Sequence, residues 1–371
     1  MDLKVYTEVA QLVELEPSWE RLLTEASASN VFMTPQWLGA WWEYYGQGKK
    51  LLVLGVYDAG RLVGLAPLLI DEQRLGGIVL MRRLKFVGAG LSDRLDLILA
   101  KGHEAAALKV IVSYLFAQDW EVWDLVEVAE DSITAALLPD IVKQLGARVA
   151  TSRQTSCPVI PLAADEAAFR SPSRKEFWKK VDYYGRRLNK DHAVELRLTD
   201  GGVNLDANLE AFFHIYRVGF ADRPNVLLNT QFENFRRRVA YRMAERGGLL
   251  LALLFADGTP VSGQFCLRYG PICYAYNLCH DPAWARYSVG TVLQWEVLRH
   301  LIREGYGAYD FLRGEEPYKY RWGGVPLHHV RMRIWHTKAK ARLLQAVARL
   351  RPGIGGENLR QQGQLPGSIN T

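Results

Sequence analysis

The stretch YDFLRGEEPYKYRWGG, residues 309–324, sets Asp310, Arg313, Glu315, Glu316, Lys319 and Arg321 among aromatic and glycine residues. Carboxylates and cations crowded beside aromatic surface suit chemistry in which a proton is taken from one group while negative charge develops on another. In a strand over 307–313, Tyr309, Phe311 and Arg313 alternate with Asp310 and Leu312, so one face packs and the other turns Asp310 inward or toward a cleft. There Asp310 either fixes a neighbouring loop through hydrogen bonds or serves as a base. Glu315 and Glu316 either pair with Arg313 or Arg321 or, in one of the two, accept a proton. Gly314 permits a turn, after which Tyr318 and Lys319 re-enter beside the strand. Arg313, Arg321 and Trp322 are the candidate substrate contacts.

Other chemistries lack their motifs. There is no GxSxG elbow, no GxxxxGK[ST] phosphate loop and no HExxH pair. FVGAGLSD at 86–93 has Gly88 and Gly90 without a third glycine or a strand-to-helix setting, which argues against a dinucleotide site. Cys157, Cys266, Cys273 and Cys279 form no CxxC pair. Cys273, Cys279 and His280 read as residues of an aromatic strand rather than metal ligands, and His328 and His329 point to opposite faces of one strand, so no metal is expected.

The elements that must position these groups follow from patterning. At 371 residues the chain passes the ~250–300 at which one core stops growing, so two domains are expected. An internal repeat supports this. FMTPQWLGAWWEYYG followed by LLVLGVYDAGRLVGLAPLL answers to LLNTQFENFRRRVAYRMAERG followed by LLALLFADGTPVSGQFCL. Thr34, Gln36 and Trp37 match Asn229, Gln231 and Phe232, while Gly60 and Gly64 match Gly258 and Gly263. Each copy is a capped helix leading to a hairpin, with Pro35 at the first helical position of the first copy. Strands at 94–100 and 120–128 and helices at 103–117 and 132–145 come next. PLAADEAAFRSPSRK, 161–175, has the composition of a connector and places the boundary between a domain 1–165 and a domain 166–337. A basic helix carrying Arg174, Lys175, Lys179, Lys180, Arg186, Arg187 and Lys190 follows, either a solvated face or a contact for a phosphorylated ligand. Beyond it come a strand at 271–280, in which Tyr274 and Tyr276 share a face, and a helix at 291–304.

The net charge is +6, and from residue 331 onward eight basic residues face one acid, so the tail carries the excess. Its segment 338–351 places Leu343, Leu344, Val347 and Leu350 on one helical face, an arrangement suited to an anionic membrane surface, and the end after Pro352 is expected to be disordered. No run reaches the ~18 apolar residues of a spanning helix, and MDLKVYTEVA lacks a signal peptide's features, so the expectation is a cytoplasmic protein, peripheral at most at the membrane's inner face.

VFMTPQWLGAWWEYYG, the basic helix after 171, the loop around Gly290 and above all YDFLRGEEPYKYRWG carry a resemblance. From about residue 5 to 337 the chain resembles the tandem-GNAT proteins of the Fem-like group, and more closely the CelD-related acetyltransferase-like proteins of cellulose and exopolysaccharide gene clusters. The resemblance implies an α/β (α+β) protein of two GNAT-like domains, with a strand over 325–337 returning to complete the first sheet. It implies acyl transfer from acetyl-CoA or a longer acyl-CoA to an amine or hydroxyl of a polysaccharide precursor or envelope metabolite. By the same resemblance the lysine of the Tyr318-Lys319 pair lies near the reacting groups, where it would bind a phosphate or stabilise an oxyanion. Arg286, Ser288, Val289, Gly290 and Thr291 stand where a GNAT binds the pyrophosphate of coenzyme A, and Tyr276 would line the donor channel. The family's loop has Arg or Gln and then Gly three and five residues on; here those places hold Val289 and Thr291, with Gly290 between. That departure keeps a second donor open, aminoacyl-tRNA, as does the basic helix. A third reading is a non-catalytic accessory of polysaccharide assembly at the membrane.

Overall fold

The computed structural model describes residues 1–75, 78–221 and 228–350. They form two compact units, the first made of residues 1–155 and those from 328 onward, the second of residues 156–327. The division thus precedes the expected boundary at 165, because residues 157–161 are a strand of the second sheet rather than connector.

In the first unit β1 (Asp2–Tyr6), α1 (Val9–Glu25) and α2 (Pro35–Tyr45) lead to an antiparallel run of β2 (Lys50–Asp58), β3 (Arg61–Leu75) and β4 (Ile78–Phe86). Then come β5 (Ile98–Leu99), α3 (Glu104–Ala117), β6 (Val122–Ala129), α4 (Ile133–Gln144) and β7 (Arg148–Arg153). Thr34 accepts the Trp37 N–H and Pro35 opens α2. The hairpin turns at Ala59 and Gly60, with φ of 47° and 79°, the paired left-handed conformation that matches strand twist. Of the buried tryptophans that fill the core, three have their indole N–H groups satisfied, Trp19 by the Met33 carbonyl, Trp37 by Ser92 and Trp120 by the Leu115 carbonyl, whereas those of Trp41 and Trp123 meet no acceptor among the described residues.

The strand expected over 94–100 is only two residues long, since the Asp96 carboxylate accepts the Leu97 N–H at 2.7 Å and turns the chain just before it. Burial raises the Asp96 carboxyl to about 6. A raised value means that the protonated form suits the fold, so this group's stabilising share is full below 3.8 and lost as pH rises through 6. Asp96→Asn should therefore stabilise the protein by about 1–3 kcal/mol above pH 7 and not at all below pH 4. Denaturant unfolding of both proteins across that range checks it.

The second unit comprises β8 (Cys157–Pro161), α5 (Glu166–Phe169), α6 (Lys175–Asp191), β9 (Val194–Thr199), α7 (Leu205–Gly219), α8 (Thr230–Ala244), β10 (Leu249–Ala256), β11 (Thr259–Tyr269), β12 (Ile272–His280), α9 (Val289–Arg303), β13 (Ala308–Asp310), α10 (Pro317–Arg321) and β14 (Val325–Leu327). The sheet order is β14-β8-β13-β12-β11-β10-β9, antiparallel except for β12 with β13. Asn229 caps α8 as Thr34 caps α2, by accepting the Phe232 N–H. The β10–β11 hairpin turns at Asp257 and Gly258, with φ of 50° and 78°. One element of the repeat fails. A Cβ at Gly64 would lie 2.8 Å from Ala107 of α3, whereas one at Gly263 would lie 2.8 Å from Phe212 of α7. Both hairpins carry the same two-residue turn and the same bulge two pairs beyond it, so Ser262, paired with Leu254, is the register counterpart of Gly64, paired with Val56; Gly263 stands one residue further on and therefore faces the other side of its sheet.

After the second sheet the chain returns. The single strand expected over 325–337 is two: β14 pairs with β8 in the second sheet, while β15 (His329–Trp335) lies between β6 and β7 in the first, whose order is β1-β2-β3-β4-β6-β15-β7 with β5 on β3. The closing helix α11 (Ala339–Leu350) buries Ala341 and Gln345 and leaves Leu343 of the expected apolar face 67% exposed, while the side chains of Val347 and Leu350 lie outside the described residues. Lys338 and Lys340 pair with Asp119 and Glu121 of the same unit. The end after Pro352 lies outside the described residues. Among the described residues no helix is long and apolar enough to cross a membrane.

Candidate active site

The second sheet opens at one place. β13 pairs in parallel with only the first three residues of β12, ending at Tyr274 opposite Asp310, while β12 continues to His280. The expected strand over 307–313 stops at Asp310 because Leu312 takes a φ of 59°, held by the Asp310 carboxylate accepting the Leu312 N–H at 2.8 Å. Asp310 is 1% exposed, so it turns the chain that parts the strands. On the other strand Phe265 opposes Asn277 and Cys266 opposes Ala275, which leaves Tyr276 as the extra residue of a bulge. Past Tyr274 the edge of β12 meets no strand among the described residues.

β12 leads through a short helical turn to the start of α9. Ser288 has a φ of 48°, and its carbonyl takes the Thr291 and Val292 N–H groups while its hydroxyl donates to Thr291 Oγ1 at 2.9 Å. The N–H groups of Val289 and Gly290, which open α9, have no carbonyl one turn earlier in the helix. Val289 is buried and anchors the turn; Gly290 has no side chain to block an approach. The exposed Arg286 donates to the Tyr287 hydroxyl at 2.7 Å, and Arg187 of α6 lies over the same ring. The ring nitrogens of His192 bridge the Asp257 carboxylate at 2.6 Å and the Tyr287 hydroxyl at 3.0 Å, fixing Tyr287 in turn. Two guanidinium groups beside an open helix start suit an anion such as phosphate.

The charged stretch beyond β13 is knotted into itself. Lys319 is 1% exposed, and its ammonium donates to the carbonyls of Leu312, Arg313 and Gly314 at 3.2, 2.8 and 3.2 Å and pairs with Glu316 at 2.9 Å. The lysine expected to face the reacting groups is thus occupied in holding the 312–314 turn. Glu315 accepts from Ser156 at 2.6 Å. Tyr318 is buried, and burial, with the Glu316 charge nearby, raises its phenol so that it stays protonated. Trp322, expected as a substrate contact, packs in the core against Phe177 and Trp178. Arg321 is exposed and lines, with Arg174 and Lys175, a concavity of about 410 Å³ beside α6. Arg313 is half-buried on the turn that Lys319 holds. Tyr276 is buried, its ring near Phe265.

The structure therefore joins Asp310, Glu316, Tyr318 and Lys319 in one cluster at the end of β13 and Arg286 to Thr291 in another at the start of α9. β12 links them, paired to Asp310 at one end and leading to the helix start at the other. Patterning overlooked Arg236, Tyr216 and Asn277, a buried polar group among α7, α8 and β12. Its signal was present: Arg236 stands on the apolar stripe of α8 with Phe232, Val239, Ala240 and Met243.

The family model described as "Acetyltransferase (GNAT) domain" matches residues 175–320, which hold both clusters. Among solved structures the chain is similar to FemX, at 11% identity and a TM-score of 0.63 over 94% of this chain and 99% of that one. It is similar also to a conserved protein of unknown function from Bacteroides thetaiotaomicron, at 13% identity and 0.57 over 90% and 100%, and to L-PGS from Bacillus licheniformis, at 9% and 0.54 over 90% and 95%. No curated protein matches the chain. At these identities the likeness is one of fold: two tandem GNAT-like units, each a mainly antiparallel sheet flanked by helices.

Proposed function

We propose that the second unit is an acyltransferase centre that takes an acetyl or longer acyl group from acyl-CoA and passes it to an amine or hydroxyl. The observation that carries this reading is the parting of β12 from β13 beside the open start of α9. A donor laid along the edge of β12 past Tyr274, which pairs with no strand among the described residues, meets backbone N–H groups that hydrogen-bond its carbonyl as a neighbouring strand would, and these bonds strengthen as the oxygen becomes an anion. Its pyrophosphate meets the N–H groups of Val289 and Gly290, with Arg286 and Arg187 supplying charge. The acceptor's nitrogen or oxygen attacks the thioester carbon, the C–S bond breaks with its electron pair leaving on the coenzyme A sulfur, and the acceptor's proton passes to a carboxylate and from there to the departing thiolate. Glu316, with 19% of its side chain exposed, is better placed for that proton than the buried Asp310, which positions the turn. Lys319 is a positioning residue. Resemblance of the motifs to CelD-related proteins supports a polysaccharide precursor or envelope metabolite as acceptor.

Calorimetric titration with acetyl-CoA and a panel of acyl-CoA thioesters tests the donor. Arg286→Ala should weaken binding about tenfold, the share of one charge-assisted contact. If no acyl-CoA binds, this reading falls and aminoacyl-tRNA comes forward. The exposed Lys175, Lys179, Lys180, Arg186 and Lys190 of α6 favour that second reading, whose signature is tRNA retention falling steeply with salt.

A further inference from the structure

Arg236 is 2% exposed on the apolar stripe of α8. Its guanidinium carbon lies 4.1 Å from the centre of the Tyr216 ring, 4.3 Å from Phe232 and 4.8 Å from Phe213. One terminal nitrogen donates to Asn277 Oδ1 at 3.4 Å. The Arg236 Nε–H and the Tyr216 hydroxyl are both buried and meet no acceptor among the described residues. Among the described residues no carboxylate pairs with Arg236; Glu233, on the same helix, is taken by Arg217 at 2.7 Å and Arg237 at 2.9 Å. Burial draws the Arg236 guanidinium down from its ordinary value, yet an arginine stays charged at any physiological pH. Burial pushes Tyr216 up to about 12, so its hydroxyl remains a donor. The surrounding rings attract a cation but supply no counter-charge.

We infer that Arg236, Tyr216 and Asn277 form a receptor for one carboxylate group of a small ligand. A carboxylate accepts from an arginine edge through two oxygens, which would use the idle Nε–H, and the Tyr216 hydroxyl supplies a further donor. Its single charge neutralises the single guanidinium, whereas a phosphate dianion would leave an excess charge buried. The aromatic rings suit the apolar remainder of such a ligand. Asn277 follows the Tyr276 bulge on the part of β12 that has left β13, so the receptor stands beside the parted strands. The inference does not depend on the donor; under the acyl-transfer reading the carboxylate belongs to the acceptor.

Thermal unfolding of the full chain with sodium benzoate, sodium acetate or inorganic phosphate, against sodium chloride at equal ionic strength, tests it. Benzoate at five times its Kd should raise the midpoint by about 2–4 °C. Arg236→Gln should abolish the rise, and Tyr216→Phe should raise Kd about fivefold, as expected for one lost hydrogen bond. No carboxylate response beyond that of chloride, a response to phosphate alone, or an unchanged Kd in Tyr216→Phe overturns the proposal. Should Arg236→Gln fail to fold, the nearly isosteric Tyr216→Phe decides.

Discussion

Lys319→Met should destabilise the protein by about 3–5 kcal/mol, the cost of removing one member of a buried ion pair. The substitution withdraws the donor from three carbonyls, those of Leu312, Arg313 and Gly314, and leaves Glu316 without its partner. Buried carbonyls deprived of a donor carry their own desolvation cost, so the turn should open rather than repack. Denaturant unfolding measures the loss, and limited proteolysis between residues 312 and 316 should show the same segment cut first. A variant that unfolds like the parent but has lost acyl transfer would overturn the positioning role and place Lys319 against the substrate.

Asp124→Asn should cost about 3 kcal/mol in the first unit. Asp124 on β6 is nearly buried and accepts from Nε of Arg331 at 2.6 Å and from a second nitrogen of the same guanidinium, with Arg333 at 3.6 Å. Both arginines lie on β15, so this carboxylate ties the returning strand to its neighbour. Burial alone would raise the Asp124 carboxyl, but the bonds from Arg331 and the charges of Arg331, Arg333 and Lys85 outweigh it and hold the value below the carboxylate range. A depressed value gives stability that is present above the unfolded pKa near 3.8 and lost as pH falls through the folded one. The gap between the two proteins should hold at pH 7 and close as the pH is lowered beyond 4. A gap that persists unchanged into strong acid would show that packing, not charge, joins the strands.

Local signals were legible in the sequence because the forces behind them act within a few residues. Thr34 and Asn229 cap their helices, and Asp58-Ala59-Gly60 and Asp257-Gly258 turn their hairpins, as side-chain acceptors and left-handed backbone require. Register was less legible. Gly64 and Gly263 were matched across an offset of one residue, and since side chains alternate along a strand that offset makes them face different helices; the bulge that each hairpin carries is set by cross-strand packing and has no local signal. At the candidate site the residue types were identified but not their directions. Trp322, expected as a substrate contact, packs against Trp178, and Lys319, expected near the reacting groups, donates to the carbonyls of the 312–314 turn. The Lys319 outcome depends on the left-handed Leu312, a conformation that no leucine announces. Arg236 was passed over because a helical arginine is ordinarily solvated; only its place among apolar neighbours marks it out.

The position of β15 has a consequence for biosynthesis. Asp124 meets Arg331 across 207 residues, and β15 occupies an interior place between β6 and β7. A nascent chain that has just released residue 155 from the ribosome therefore holds β6 and β7 with a vacant lane between them. The second sheet needs nothing beyond Leu327 and can close first. The domain translated first is finished last, and until Trp335 emerges it presents two unpaired strand borders, the condition in which a chaperone's protection counts most.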